Sequence, residues 1–198
     1  MKKKFNRLNM GCGFKKLKGY WNVDVCEKCE PDEVFDFEEL KWPWEDNSFE
    51  RIHANNCLEH LGQTPKSFLN VIKEMYRISK DGCTWDINVP HHRCDNYWND
   101  FTHVRVITPV TFALFDQEKN TKSIKQNLSD SVFGLTYDID LEVKDVQFHL
   151  THLFNNRETN NNTHPSGYRQ LDVDLNTMAN VAESVTIIVE VHKPGRKK

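Results

Sequence analysis

Gly11-Cys12-Gly13 and the carboxylates of Asp24 and Asp36 are the residues whose types and spacing first suggest chemistry in this chain. Each lies where a short apolar run ends. Arg7-Leu8-Asn9-Met10 leads into the glycines, Tyr20 to Val25 carries Asp24, and Glu33-Val34-Phe35 is followed by Asp36. Glycine lets a backbone turn sharply and approach a ligand closely. A carboxylate at the end of a neighbouring strand can accept both hydrogen bonds of a ribose diol. Two glycines alone are compatible with any nucleotide, and the short path from Gly13 to Asp24 narrows the choice. In a dinucleotide site that path holds a helix whose N-terminus binds pyrophosphate, with the acid about 20 residues on. Here only Phe14 to Val23 intervene, and Phe14 to Gly19 is too short for a full helix followed by a strand. The spacing implies a ribose-bearing ligand without phosphate.

A second reactive group is His91-His92-Arg93, followed by Asp100-Phe101-Thr102-His103-Val104-Arg105. Histidine titrates near neutral pH and suits proton abstraction. His103 or His92 is the expected base, with Arg105 or Arg93 orienting a polar or anionic group. The same histidines could instead fix their loop by hydrogen bonds. A metal site is the competing use of His91, His92, His103 and Cys94. His149 and His152 lie three apart in an expected strand, an odd offset that sends side chains to opposite faces. Cys26-x-x-Cys29 is half a zinc pattern without a second pair at the usual spacing. No metal is assigned.

The elements that must position these residues read as an α/β domain with a mostly parallel sheet. Strands are expected at Arg7–Met10, Tyr20–Val25, Glu33–Phe35, Phe49–Ala54 and Cys83–Pro90. A helix starts at Thr64-Pro65, a good N-cap followed by a residue suited to the first helical position. It buries Phe68, Val71, Ile72, Met75 and Tyr76 at three- and four-residue spacing. Lys80-Asp81-Gly82 is expected to stop it, with Gly82 left-handed. A shorter helix at Thr108-Pro109 buries Phe112 and Phe115. Leu135–Phe154 and Ser184–His192 read as long strands that form an antiparallel pair at the sheet edge. The Asn- and Thr-rich segment 155–180 between them is a loop or lid.

These blocks resemble, in order, the class I S-adenosylmethionine (SAM)-dependent methyltransferases of the type 11 group. Leu8-Asn9-Met10-Gly11-Cys12-Gly13 and Gly19-Tyr20-Trp21-Asn22-Val23-Asp24 look like the start of that family. Leu40-Lys41-Trp42-Pro43-Trp44-Glu45-Asp46-Asn47-Ser48-Phe49 is similar to its "LPF" and "DNSFD" pattern, and Cys57-Leu58-Glu59-His60-Leu61 to its "LEHL" segment. The stretch from Asp100 to Arg105 resembles a "DPTHVR" segment of some members, with Phe101 where proline is usual. The resemblance covers roughly the first 115 residues. It implies a Rossmann-like fold, here with a shortened first helix, and SAM as cofactor. It further implies that Gly11, Cys12 and Gly13 line the methionine part of SAM and that Asp24 holds the ribose hydroxyls. Asp36 would accept from the adenine amino group beside the Phe37 backbone, and Asn55 and Asn56 would approach the sulfonium or amino-acid end. Trp42 and Trp44 read as packing residues, and Glu59 as an acid favoured at a helix start.

Composition limits the rest. The 198 residues fit one domain with a core of its own. With 26 basic and 29 acidic residues the net charge is −3, without the basic field of a dedicated nucleic-acid binder. Asn55-Asn56-Cys57-Leu58 also differs from the Asp/Asn-Pro-Pro-aromatic segment of amino-methylating DNA enzymes. No apolar run approaches the roughly 20 residues of a membrane span. Six scattered cysteines read as reduced thiols of a cytoplasmic protein. The expected activity is methyl transfer to a small-molecule or sugar-like acceptor. A catalytically silent SAM-binding partner protein is the alternative.

Overall fold

The structure is a computed structural model that describes residues 5–152, 175 and 178–196. Seven strands build one sheet: β1 (Arg7–Met10), β2 (Trp21–Asp24), β3 (Glu33–Val34), β4 (Phe49–Asn55), β5 (Ser79–Pro90), β6 (Leu141–Leu150) and β7 (Ala182–Val191). Their spatial order is β3-β2-β1-β4-β5-β7-β6. β1 to β5 run parallel, while β7 pairs antiparallel with both β5 and β6. The antiparallel edge pair expected from the C-terminal sequence is therefore present. The order in which strands are added reverses between β1 and β4, and in open α/β sheets that switch point opens a crevice beyond the carboxyl ends of the strands.

Alternation along the strands sorts the two faces. Leu8, Met10, Val23, Ile52, Ala54, Trp85, Ile87, Val185, Ile187 and Val189 share one core with Phe68, Val71, Ile72, Met75 and Ile78 of α1 (Pro65–Ile78). Thr64 caps α1 and exchanges hydrogen bonds with Ser67 in a capping box. The opposite face places Asn22, Asn9, His53 and Asp86 side by side through the strand register. Asn9 donates to Asn22 at 2.9 Å, and His53 lies 3.5 Å from Asp86.

The reason for that polar face lies in the connections. Turns alone fill the path from β1 to β2, and only a 3-10 turn at Glu27–Cys29 lies between β2 and β3. Parallel neighbours are usually joined through a helix. The expected shortened first helix is thus replaced by turns. The Asn22 side chain holds this connection by accepting from the Leu17 amide at 2.7 Å and donating to the Leu17 carbonyl at 3.3 Å.

Two expectations need correction. Helix α1 ends at Ile78 rather than at Gly82, because Ser79 turns extended and its hydroxyl ties back to the Met75 carbonyl at 2.7 Å. Gly82 does take a left-handed φ of 71°, but within the irregular start of β5. The long strand expected from Leu135 begins only at Leu141. Before it lie α2 (Asp95–Asn99), α3 (Pro109–Ala113), α4 (Gln117–Lys125) and α5 (Phe133–Tyr137). Most of the segment 155–180 lies outside the described residues.

Candidate cofactor cleft and acceptor pocket

The turn after β1 is built for close approach. Gly11 has φ 59°, and a Cβ there would sit 2.7 Å from Cys57 Sγ and 2.9 Å from Cys57 Cβ. Glycine is required on both counts. Gly13 also takes a left-handed φ of 46°, and its amide donates to Asp24 Oδ2 at 2.7 Å. The other oxygen of Asp24 accepts from the Cys26 amide at 2.8 Å. A nearly buried carboxylate is therefore held rigidly at the end of β2, each oxygen keeping a second lone pair for a ligand.

Beside this turn lies a cavity of 550 Å³, lined among others by Gly11, Cys12, Gly13, Asn55, Asn56 and His53. Its size falls in the ordinary range for small-molecule sites. The structure thus brings together five of the expected cofactor residues and adds Asn9, Phe14, Lys15 and His53. Asp24, Asp36 and Phe37 are not part of that lining. Asp36 is exposed two residues beyond β3 and accepts from the Glu38 amide at 2.9 Å. The Phe37 ring is buried against Phe35, Trp42 and Trp44, and its carbonyl accepts from Trp42 Nε1 at 3.3 Å. Trp42 and Trp44 are packing residues. Cys12 turns its thiol inward, and burial beside Asp24 pushes that thiol up to about 11.

The donor set fits SAM. Carboxylates suit a ribose diol, whereas a pyrophosphate would meet no helix N-terminus at this turn. The Gly13 amide is already taken by Asp24, whose charge would repel a phosphate.

A second, polar cavity of 390 Å³ opens at the carboxyl ends of β4 and β5. Asn56, His60, Asn88, Asp100, His103 and Ser184 are among its walls. Asn56 lines both cavities. It stands at φ 49° just after β4, and its amide donates to the Asn88 carbonyl at 2.9 Å.

The loop after β5 folds back here because the Val104 amide donates to the Glu59 carbonyl at 2.9 Å. His103 Nδ1 lies 2.6 Å from the Tyr97 carbonyl. A carbonyl only accepts, so Nδ1 carries a proton, and Nε2 lies on the other side of the ring, 3.9 Å from Asp100 Oδ2. His60 Nδ1 lies 2.9 Å from the Thr102 hydroxyl, which donates to Asp100 Oδ1 at 2.6 Å. With that hydroxyl proton committed, Thr102 accepts from His60. Burial, and then the neighbouring His103, lower the basicity of His60. Glu59 is fully buried with neither carboxylate oxygen hydrogen-bonded, and burial pushes it up to about 7. It does stand in the first turn of a short 3-10 helix, Leu58–His60, as expected from sequence, but it is buried there.

The other candidates lie elsewhere. His92 and His91 line a 160 Å³ cavity with Phe148 and Leu175. Arg105 donates to the carbonyls of Gly62 and Thr64 and lies over the Phe68 ring, 4.2 Å from its centroid. It fastens the loop before α1 and faces a separate apolar cavity. Neither joins His103. Sequence reasoning passed over His60 as part of this pocket, although its place beside Glu59 in the "LEHL"-like segment was a usable signal.

The chain is similar over most of its length to solved methyltransferase structures. A SAM-dependent methyltransferase from Archaeoglobus fulgidus is 17% identical, with 94% of this chain and 86% of that one covered and a TM-score of 0.55. The YcgJ protein from Bacillus subtilis is 14% identical, with 98% and 94% covered and a TM-score of 0.50. Phosphoethanolamine N-methyltransferase 2 from Haemonchus contortus, solved with SAM, is 15% identical at a TM-score of 0.50; this chain covers 49% of it and is itself 97% covered. No protein-family model matches the sequence, and no curated protein matches it significantly. The fold is that of the class I SAM-dependent methyltransferases.

Proposed function

We propose that this chain is a SAM-dependent methyltransferase acting on a small-molecule acceptor. The observation that carries the reading is the shared wall at Asn56, which joins the cleft at the Gly11–Gly13 turn to the polar pocket. SAM supplies a methyl group activated by its sulfonium. Asp24 would hold the ribose hydroxyls, with Asp36 and the Phe37 backbone towards the adenine. Gly11, Cys12, Gly13, Asn55 and Asn56 would line the methionine end. Alignment of donor and acceptor across Asn56 can then provide much of the rate. His60 and His103 both line the acceptor pocket, while His92 faces another cavity. The pocket walls are rich in amide, hydroxyl and imidazole groups, which supports a polar acceptor such as a sugar-like metabolite. Among the described residues no helix is long and apolar enough to cross a membrane. All six cysteines are unpaired, which supports a reducing, cytoplasmic location.

Calorimetry tests the cofactor half. Wild-type protein is expected to bind SAM, and Asp24→Asn to bind it about 10- to 150-fold more weakly, the equivalent of one charged hydrogen bond of about 1.5–3 kcal/mol. Absence of SAM binding to the wild type refutes the reading. Release of S-adenosylhomocysteine across a panel of hydroxyl and amine acceptors tests the transferase half. A chain that binds SAM yet turns over no acceptor would be the silent partner instead.

A further inference from the structure

Glu59, His60 and His103 are 44 residues apart in sequence at the extremes, yet one ligating atom from each lies within 4.8 Å of the others. We propose that these three side chains bind a first-row divalent transition-metal ion, Zn²⁺ or Fe²⁺ in type, in the floor of the polar pocket.

Three features of the cluster point to a cation. First, the Glu59 carboxylate is wholly buried with both oxygens unpartnered, and no lysine or arginine pairs with it among the described residues. A buried carboxylate is costly unless it is paired or coordinates a metal. Second, both imidazoles have their Nδ1–H committed, His103 to the Tyr97 carbonyl and His60 to a Thr102 hydroxyl that is itself fixed by Asp100. This is the outer-shell arrangement that orients metal-binding histidines and leaves Nε2 as the donor. Third, the two rings are close, with centroids 4.7 Å apart. Zn–N and Zn–O bonds of about 2.0–2.1 Å place tetrahedral ligands roughly 3.3 Å apart, so from separations within 4.8 Å no pair of the three atoms need close by more than about 1.5 Å.

Two imidazoles and one carboxylate leave coordination positions open, the pattern of reactive rather than purely structural sites. The open side would face the pocket, where Asn56, Asn88 and Ser184 stand. An oxygen or nitrogen of the acceptor is the ligand those positions would take. The histidines would then act on the acceptor through the ion rather than as free bases. This last step rests on the transferase reading, whereas the metal site does not.

A contrast within the molecule sharpens the case. Glu142, Glu190 and His192 form the other such group among the described residues. There Lys144 and Arg196 already pair with the carboxylates, so the negative charge is satisfied. At Glu59 it is not.

The test uses the full chain stripped of metal and titrated with Zn²⁺, and separately with Co²⁺ followed by its visible absorption. One equivalent is expected to bind. Thr102→Val, which removes the hydroxyl that links His60 to Asp100 and leaves the three ligands in place, should weaken binding about tenfold; Glu59→Gln, His60→Ala and His103→Ala should each exceed the 10- to 100-fold range of outer-shell changes. SAM calorimetry on the same variants separates the two readings, because none of the three ligands lines the cofactor cleft. SAM binding without metal binding overturns the metal site alone. Anomalous diffraction at the zinc edge reads the unmodified chain, so the outcome does not depend on the variants folding. A peak beside His60 and His103 supports the assignment. A peak at His91 and His92 or at Glu142 and His192, or no stoichiometric metal, overturns it.

Discussion

Replacing Gly11 by alanine should be among the most damaging single-methyl changes available in this protein. Gly11 stands at φ 59°, where an L-residue other than glycine costs about 1–2 kcal/mol. The new methyl would also lie 2.7 Å from Cys57 Sγ and 2.9 Å from Cys57 Cβ, inside the contact distance of either atom. Overpacking of this kind costs about 1–3 kcal/mol. The two causes together amount to about 2–5 kcal/mol, a large share of the 5–15 kcal/mol typical of a domain. They can be separated, because only the second involves Cys57. In the Gly11→Ala background, Cys57→Ala removes the sulfur contact but leaves the Cβ contact and the left-handed φ. It should recover part of the loss, whereas in the wild type it creates a small cavity and destabilises. Urea denaturation of the four proteins gives the coupling energy directly. A loss below about 1 kcal/mol for Gly11→Ala, set against these costs, refutes the tight-turn reasoning. Full recovery by Cys57→Ala refutes the backbone share of it.

Arg105→Ala strips charged hydrogen bonds from the Gly62 and Thr64 carbonyls and uncovers the Phe68 ring. It should cost about 2–3 kcal/mol in thermal or urea unfolding while SAM affinity stays unchanged. His103→Ala should slow methyl transfer by about a hundredfold or more, while His92→Ala, which faces a different cavity, should leave the rate as it is. Equal losses in both variants count against the pocket assignment. Burial works to raise the Asp140 carboxyl, but hydrogen bonds from Arg196 and Gln117 outweigh it and hold the group below its ordinary value. Its contribution to stability is therefore complete above the ordinary carboxylate value and is lost as pH falls through the lowered one. Asp140→Asn should flatten this acid limb in a stability–pH profile, and an unchanged limb contradicts the pairing.

The parallel half of the sheet was legible because its strands alternate apolar and polar residues, and β1 and β2 run into a glycine or an acid. Leu8, Met10, Val23, Ile52, Trp85 and Ile87 enter one core as the period of two requires. Helix α4 was not legible, and the reason is physical. Its buried residues are Gln117, Asn120 and Ser123, polar side chains that carry no hydrophobic period. They are tolerated inside because Gln117 donates to Gly134, Asn120 to Leu114 and Ser123 to Asp130. The following residues then read as one long strand, although Asp138 ends α5 with a left-handed φ of 55°.

By itself the sequence determined the parallel strands and the glycine turn that closes β1. The turn at Gly11–Gly13 and the short path to Asp24 are local, and local spacing is enough to exclude a phosphate-binding helix. The pocket half belongs to the tertiary structure. Glu59 and His60 come from the 3-10 helix that follows β4 and His103 from the loop beyond β5, and they meet through a backbone contact between Val104 and Glu59. Spacing along the chain says nothing about such a meeting. Burial then decides its chemistry, since the same glutamate on a surface would be an ordinary solvated acid.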